Sequence, residues 1–213
     1  HADVWISGSS AVLIHLVPDW LEAMTNKIGP FKSNFGSYGS HDAGKPSDMV
    51  QRLRQGEIDF TFTYAHPDMP WILDTGNFDW KVVTTTMFRP YAAKDPNGAP
   101  LYELPGTDDA PLPWLAYATD SVLARAEGLA IQNAGRDFSL NITHQSMSVD
   151  MLKQLALNGN GFGWFPAFAV SSEVEDGRLV PIGCDSDAIE MEIRLYRVKG
   201  RRRPIIDKIW NAN

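Results

Sequence analysis

Residues 145–166, QSMSVDMLKQLALNGNGFGWFP, carry the pattern that decides the fold. Ser146 and Ser148 are good helix N-caps, and Asp150 suits the positive end of a helix's first turn. Met147, Met151, Leu152, Leu155 and Ala156 recur at helical spacing, which predicts one apolar face on a helix over 146–158. Asn158-Gly159 supplies the stop, since both residues tolerate the left-handed conformation. Phe162 to Phe165 is a short apolar run closed by Pro166 and reads as a buried strand. A capped helix feeding a buried strand through a tight Gly turn is half of an α/β unit.

Working outward, the same alternation of elements continues on both sides. Upstream, Trp114–Ala118 reads as a strand, Ser121–Asn133 as a helix and Phe138–His144 as a strand. Downstream, Ala167–Glu175 is helical, and Ile189–Val198 alternates apolar with charged residues as a strand. At the start of the chain, Val4–Ser7 predicts a strand that Gly8-Ser9-Ser10 turns into a helix reaching Ile28. Pro18 should bend that helix or leave a first short turn. Phe31–Tyr38, Ser47–Gln55 and Phe60–Tyr64 complete a β-α-β-α-β order, for which right-handed crossovers predict a mostly parallel sheet. Pro67–Asp79 and Asp95–Pro113 read as irregular connections, the latter with five prolines. Lys81–Ala93 is strand-like but interrupted by Arg89-Pro90. Pro204 opens a last helix ending near Trp210. The expected organisation is two lobes, 1–87 with 189–213 and 88–188, joined by two crossovers around a cleft.

Composition narrows the function. With 213 residues and 44% hydrophobic content the chain can bury a substantial core, and no apolar run is long enough to span a membrane. The lone Cys184 rules out an internal disulfide and fits a reducing compartment. A formal net charge of −7 argues against gripping DNA phosphates directly. The cluster Arg201–Arg203 beside Lys199 reads as a solvated turn ahead of the last helix. The chain opens on DVWISGSS with no signal-peptide pattern, so a cytoplasmic location is expected.

Few constellations suggest chemistry. GNGFG at 159–163 precedes a strand, so it lacks the helix N-terminus of a phosphate loop. His1, His15, His41, His66 and His144 show no metal spacing, and no nucleophile elbow or paired catalytic acids are evident. No catalytic residue, metal or cofactor is therefore assigned. In sheets of this kind, ligands sit beyond the carboxyl ends of strands. Hydroxyls and free N–H groups at two opposed helix starts suit a small anion, such as a carboxylate, with Ser9, Ser10 and Ser146 as candidates. Thr63, Tyr64 and Thr119 lie at other strand ends on the same rim. These serines could equally serve only as caps.

Four segments in order resemble the effector-binding domain of LysR-type transcriptional regulators. They are SSAVLIHLVPDWLEAM, MVQRLRQGEIDFTFTY, the 145–166 stretch and EDGRLVPI at 175–182. The resemblance implies a periplasmic-binding-protein-like (type II) fold with two mixed sheets. It also implies a small effector bound between the lobes and a homodimer or homotetramer. DNA would be contacted only through a winged helix-turn-helix upstream of this chain. Within the family, the sequence is most similar to the hypochlorite-responsive branch, where methionine oxidation is the signal. Met24 and Met147 match its methionines, and Met147 joins the effector-site candidates. A third signalling position falls on Leu123, which cannot form a sulfoxide. The other reading of Met24, Met147 and Met151 is flexible core filler. The rival functions are a transporter solute-binding protein and an enzyme on the same fold.

Overall fold

The computed structural model describes residues 3–38, 46–70, 73 and 76–213. Residues 39–45, with His41, and also His1, lie outside them. The elements are β1 (Asp3–Ser9), α1 (Ser10–His15), α2 (Val17–Ile28), β2 (Lys32–Tyr38), α3 (Pro46–Gln55), β3 (Phe60–Ala65) and β4 (Phe78–Ala93). They continue with β5 (Leu112–Tyr117), α4 (Val122–Asn133), β6 (Leu140–Ser146), α5 (Val149–Leu157), β7 (Gly163–Pro166) and α6 (Ala167–Glu175). β8 (Leu179–Pro181), β9 (Ile189–Val198) and α7 (Pro204–Ala212) complete the set. The chain forms two compact units, one of His1–Thr85 with Glu192–Asn213 and one of Thr86–Met191. It passes between them within β4 and within β9.

In unit 1, β1 pairs with both β2 and β3 in parallel, and β9 joins β3 antiparallel. The sheet is mixed, as expected. β3 is buried at every position, including Thr61 and Thr63. The Ser7 hydroxyl donates to Thr61 Oγ1 at 3.0 Å, so the polar atoms on this strand are paired inside the sheet. α1 stops after His15 and α2 restarts with Pro18 in its first turn, where a missing N–H costs nothing. Trp20 and Met24 of α2 are buried, and Trp20 meets Phe62 edge-on at 5.1 Å. Met49, Val50 and Leu53 of α3 pack with Ile58, Leu73, Phe78 and Tyr196 in a second cluster. Asp59, nearly without exposure, accepts from Arg203 Nη1 at 2.7 Å and from Trp5 N at 2.9 Å, tying the C-terminal segment to β1.

In unit 2, β5 and β6 are parallel, Phe162 bridges Trp114, and β4 pairs antiparallel with β7 and β8. Trp164 is the centre of the core: Trp114, Phe138 and Phe162 all meet its ring edge to face. Its indole N–H donates to Asp187 O at 2.8 Å. The Gly-x-Gly turn has a packing reason. Gly159 takes φ 79° to end α5, and a Cβ at Gly161 would stand 2.6 Å from the Pro113 carbonyl oxygen. Phe162 N then donates to that same oxygen at 3.0 Å, bringing the segment before β7 against β5.

Several local expectations are corrected. α5 starts at Val149, not at 146, because Ser146 is held in β6 opposite Tyr117. Ser148 is the N-cap, its hydroxyl accepting from Met151 N at 3.1 Å. The buried face is Val149, Leu152, Lys153 and Ala156, whereas Met151 is 52% exposed. Lys153 can be inside because its ammonium meets Glu173 at 2.9 Å and donates to Ala169 O at 3.0 Å. Burial is the largest single influence and pushes the Glu173 carboxyl up, but the Lys153 hydrogen bond and charge, with the Ser172 hydroxyl, together outweigh it and the net shift is downward. β6 starts at Leu140, since Phe138 turns into the core against Trp164. β4 starts at Phe78 and runs unbroken through Arg89-Pro90. Pro90 keeps an acceptor role there, taking a bond from Ile182 N at 3.0 Å.

Glu127 of α4 is 2% exposed. It accepts from the Trp114 indole at 3.2 Å and from Tyr117 N at 3.1 Å. Burial still dominates and raises its carboxyl from 4.5 to about 9. Its folded value lies above its unfolded one, so the associated stability is whole below about pH 4.5 and lost as pH rises toward 9. Urea unfolding at pH 5 and pH 8 should show the wild type losing about 2–4 kcal/mol more than Glu127→Gln over that interval. Parallel losses in the two proteins would count against a neutral, buried Glu127.

Candidate effector site

The candidate residues form one group in each unit. In unit 1, Ser9 ends β1 and Ser10 is the first residue of α1. The Ser9 side chain makes no cap bond to α1, and both serines are half-buried. The register Gly8↔Phe62 places Ser9 beside Thr63 on the next strand. Thr63 itself has no exposure, and its hydroxyl donates to Tyr64 O at 3.3 Å. Tyr64 is buried as well. At this rim the accessible hydroxyls are therefore those of Ser9 and Ser10, while Thr63 and Tyr64 shape the wall behind them.

In unit 2 the group gathers where β5 and β6 end side by side. Ala118 N donates to Ser146 O at 3.0 Å, which fixes Thr119, an exposed residue, next to Ser146 and the half-buried Met147. Two helices start from this edge. Ser121 caps α4 through Leu123 N at 3.1 Å, and Ser148 caps α5. Ser146 Oγ accepts from Ser148 N at 3.0 Å, shaping the turn into α5. Its O–H proton remains available for an acceptor. Asp150 in the first turn of α5 lies within 3.5 Å of Lys153, which offsets part of its charge.

A recess of about 780 Å³ lies elsewhere in unit 2, lined by Ile131, Gln132, Arg136, Phe138 and Leu140. Leu140 begins β6, so the recess sits at the amino ends of the strands, opposite Ser146. Its guanidinium is already taken: Arg136 bonds to Asp187, which has no exposure, and lies 5.3 Å from the Phe138 ring. Volume alone does not make this the effector site. Among the described residues, no group of three His, Cys, Asp or Glu side chains could hold a metal, and no helix is long and apolar enough to cross a membrane.

Comparison with known proteins places the fold. A profile of the LysR substrate binding domain matches residues 41–212. The chain belongs to the LysR substrate-binding-domain family. It is the effector-binding, regulatory part of a LysR-type protein. It is similar to the HTH domain-truncated transcriptional regulator QseD of Escherichia coli O157:H7, 27% identical over 76% of this chain and 64% of the relative. It is also similar to the HTH-type transcriptional regulator YjiE of Escherichia coli K12, 27% identical over 76% of this chain and 51% of the relative. The matched segment thus spans about half to two thirds of these curated relatives. Among solved structures, the apo regulatory domain of HypT from Salmonella typhimurium superposes with a TM-score of 0.79 at 23% identity, over 98% of this chain and 92% of that one. The Vibrio fischeri DarR complex with DNA gives 0.81 at 23%, over 98% and 66%.

The sulfur atoms of this LysR domain differ widely in access. Met24 is 2% exposed within the core, Met147 is half-buried, and Met87 and Met151 are exposed. Leu123 is buried. Thioether oxidation requires the oxidant to reach sulfur, so limited hypochlorite should convert Met87 and Met151 before Met24 or Met191. Peptide mass spectrometry at low oxidant excess reads this order. Early sulfoxide at Met24 would instead mark a route into the unit 1 core and revive the pairing of Met24 with Met147 as a sensor.

Proposed function

We propose that this LysR domain senses a small organic anion at the carboxyl ends of its parallel strands. Ser9 and Ser10, backed by Thr63 and Tyr64, serve unit 1, and Thr119, Ser146 and Met147 serve unit 2. The observation that carries the reading is the repetition. In each unit a strand ends on a serine that is not consumed as a helix cap, beside a helix start whose N–H groups favour negative charge. The regulatory domain of Salmonella typhimurium HypT has been solved bromide ion-bound, which supports an anion as ligand for this architecture. The activity is binding, with no catalytic step. The full regulator would sit in the cytoplasm and touch DNA through a domain outside this chain. An effector would act through its different affinity for two arrangements of the assembly.

A homodimer, or a tetramer built from it, pairing unit 1 of one copy with unit 2 of the next, completes this reading. Trp20 and Met24 of the apolar face of α2 are inside the fold and do not make that contact. Ile14 and Phe35 on unit 1 and Ile142 on unit 2 are among the large apolar residues left exposed. Sedimentation at tens of micromolar should find a dimer that Ile14→Asp dissociates, and a monomeric wild type would remove the pairing.

The ligand contacts are tested one unit at a time. Once a thermal-shift screen of carboxylates identifies an effector, Ser10→Ala and Ser146→Ala should each weaken it by about 1.5–3 kcal/mol, roughly ten- to a hundredfold. Stability should stay within about 1 kcal/mol of wild type, since neither serine is a bonded helix cap. Unchanged affinity in both variants would place the effector elsewhere.

A further inference from the structure

Every Lys or Arg that is at least half withdrawn from water among the described residues has a hydrogen-bonding partner, with one exception. Arg136 meets Asp187, Lys153 meets Glu173, Arg194 meets Glu192, Arg197 meets Asp207 and Arg203 meets Asp59. Lys81 donates to Trp210 O at 2.6 Å. Arg89 is half-buried, its Nε is sealed from solvent without an acceptor, and it forms no ion pair among the described residues. A withdrawn guanidinium without a counter-charge is costly, and removing water from an unpaired cation is tolerated when a ligand supplies the missing charge.

Its position is informative. Arg89 lies on β4 opposite Phe165, one residue from the carboxyl end of β7. β7 follows the segment bridged to β5, which pairs with β6, so the strands of unit 2 run in the order β6, β5, β7, β4. Arg89 therefore stands at the same end of this sheet as Thr119 and Ser146. At about 4.8 Å per strand, its backbone is about 15 Å from that of Ser146. Tyr91, two residues on, is buried near the same charge: burial pushes its phenol up and Arg89 draws it back down.

We infer that Arg89 is the counter-charge of the effector, holding a carboxylate of the small anion at the unit 2 rim. The inference rests on the anion reading above and adds the residue that selects for a carboxylate. A guanidinium offers two parallel N–H donors that match a carboxylate's two oxygens, which a serine hydroxyl cannot do. This makes Arg89 a specificity determinant and not part of the folding scaffold.

The test uses the whole chain with the sodium salts of benzoate, succinate and sulfate at millimolar concentration and matched ionic strength. Thermal shift and calorimetry are run on wild type, Arg89→Gln, Arg89→Lys and Ser146→Ala. A carboxylate should raise the wild-type Tm through mass action. Arg89→Gln should bind it about ten- to a hundredfold more weakly, with Arg89→Lys between the two. Without ligand, Arg89→Gln should melt at or above the wild-type temperature, because no native partner is lost. An unliganded Arg89→Gln that melts lower or fails to fold would make Arg89 structural and overturn the inference. If a carboxylate binds, Ser146→Ala weakens it and Arg89→Gln does not, the anion reading stands and Arg89 is excluded. Equal or better binding of sulfate overturns the carboxylate assignment, and no binding of any probe to wild type overturns the inference together with the anion reading.

Discussion

The structure depends on a rule of charge: a charged group taken out of water must be met by an opposite charge or give up its own. Asp187 shows the first solution. It has no exposure, holds Arg136, accepts from Cys184 N at 2.8 Å, and lends its backbone carbonyl to the Trp164 indole. One carboxylate thus fixes the end of α4, the turn before β9 and the ring at the centre of the unit 2 core. Asp59 does the same in unit 1, where Arg203 bonds both its carboxylate and Asp3 O, joining the two ends of the chain. Removing one member of such a pair strands the other, at about 3–5 kcal/mol. Glu127 shows the second solution, keeping its proton in place of a partner.

These pairings explain where a reading of periodicity succeeds and where it slips. α6 and β9 have the bounds their patterns predict. α5 is read a turn too early and with its face rotated. Lys153 looks like a solvent residue, and Met151 like a core residue. The counter-charge that brings Lys153 inside lies on another helix, twenty positions later at Glu173. β3 reads as a strand with a polar side, yet every position on it is buried, Thr61 and Thr63 included.

The site was legible to the same depth. Topology alone points to the ends of parallel strands, and hydroxyl residues there can be picked out by position. Which of them caps a helix and which is left over depends on hydrogen bonds only the folded chain displays: Ser148 and Ser121 cap, Ser9 does not. Arg89 left no mark in the sequence, where it looked like half of an interruption in a strand. Its significance is the absence of a counter-charge among the described residues, and an absence of that kind is a property of three dimensions.

The neutral state of Glu127 also changes how the molecule exchanges protons with its surroundings. The formal net charge of −7 counts this side chain as ionised, so the folded chain carries one negative charge fewer near neutrality. When the chain unfolds there, the carboxyl meets water, regains its ordinary acidity and releases its proton to the buffer. The heat absorbed in melting therefore contains a contribution from whatever base accepts that proton. Phosphate and amine buffers, whose ionisation heats differ, report different enthalpies for the same transition.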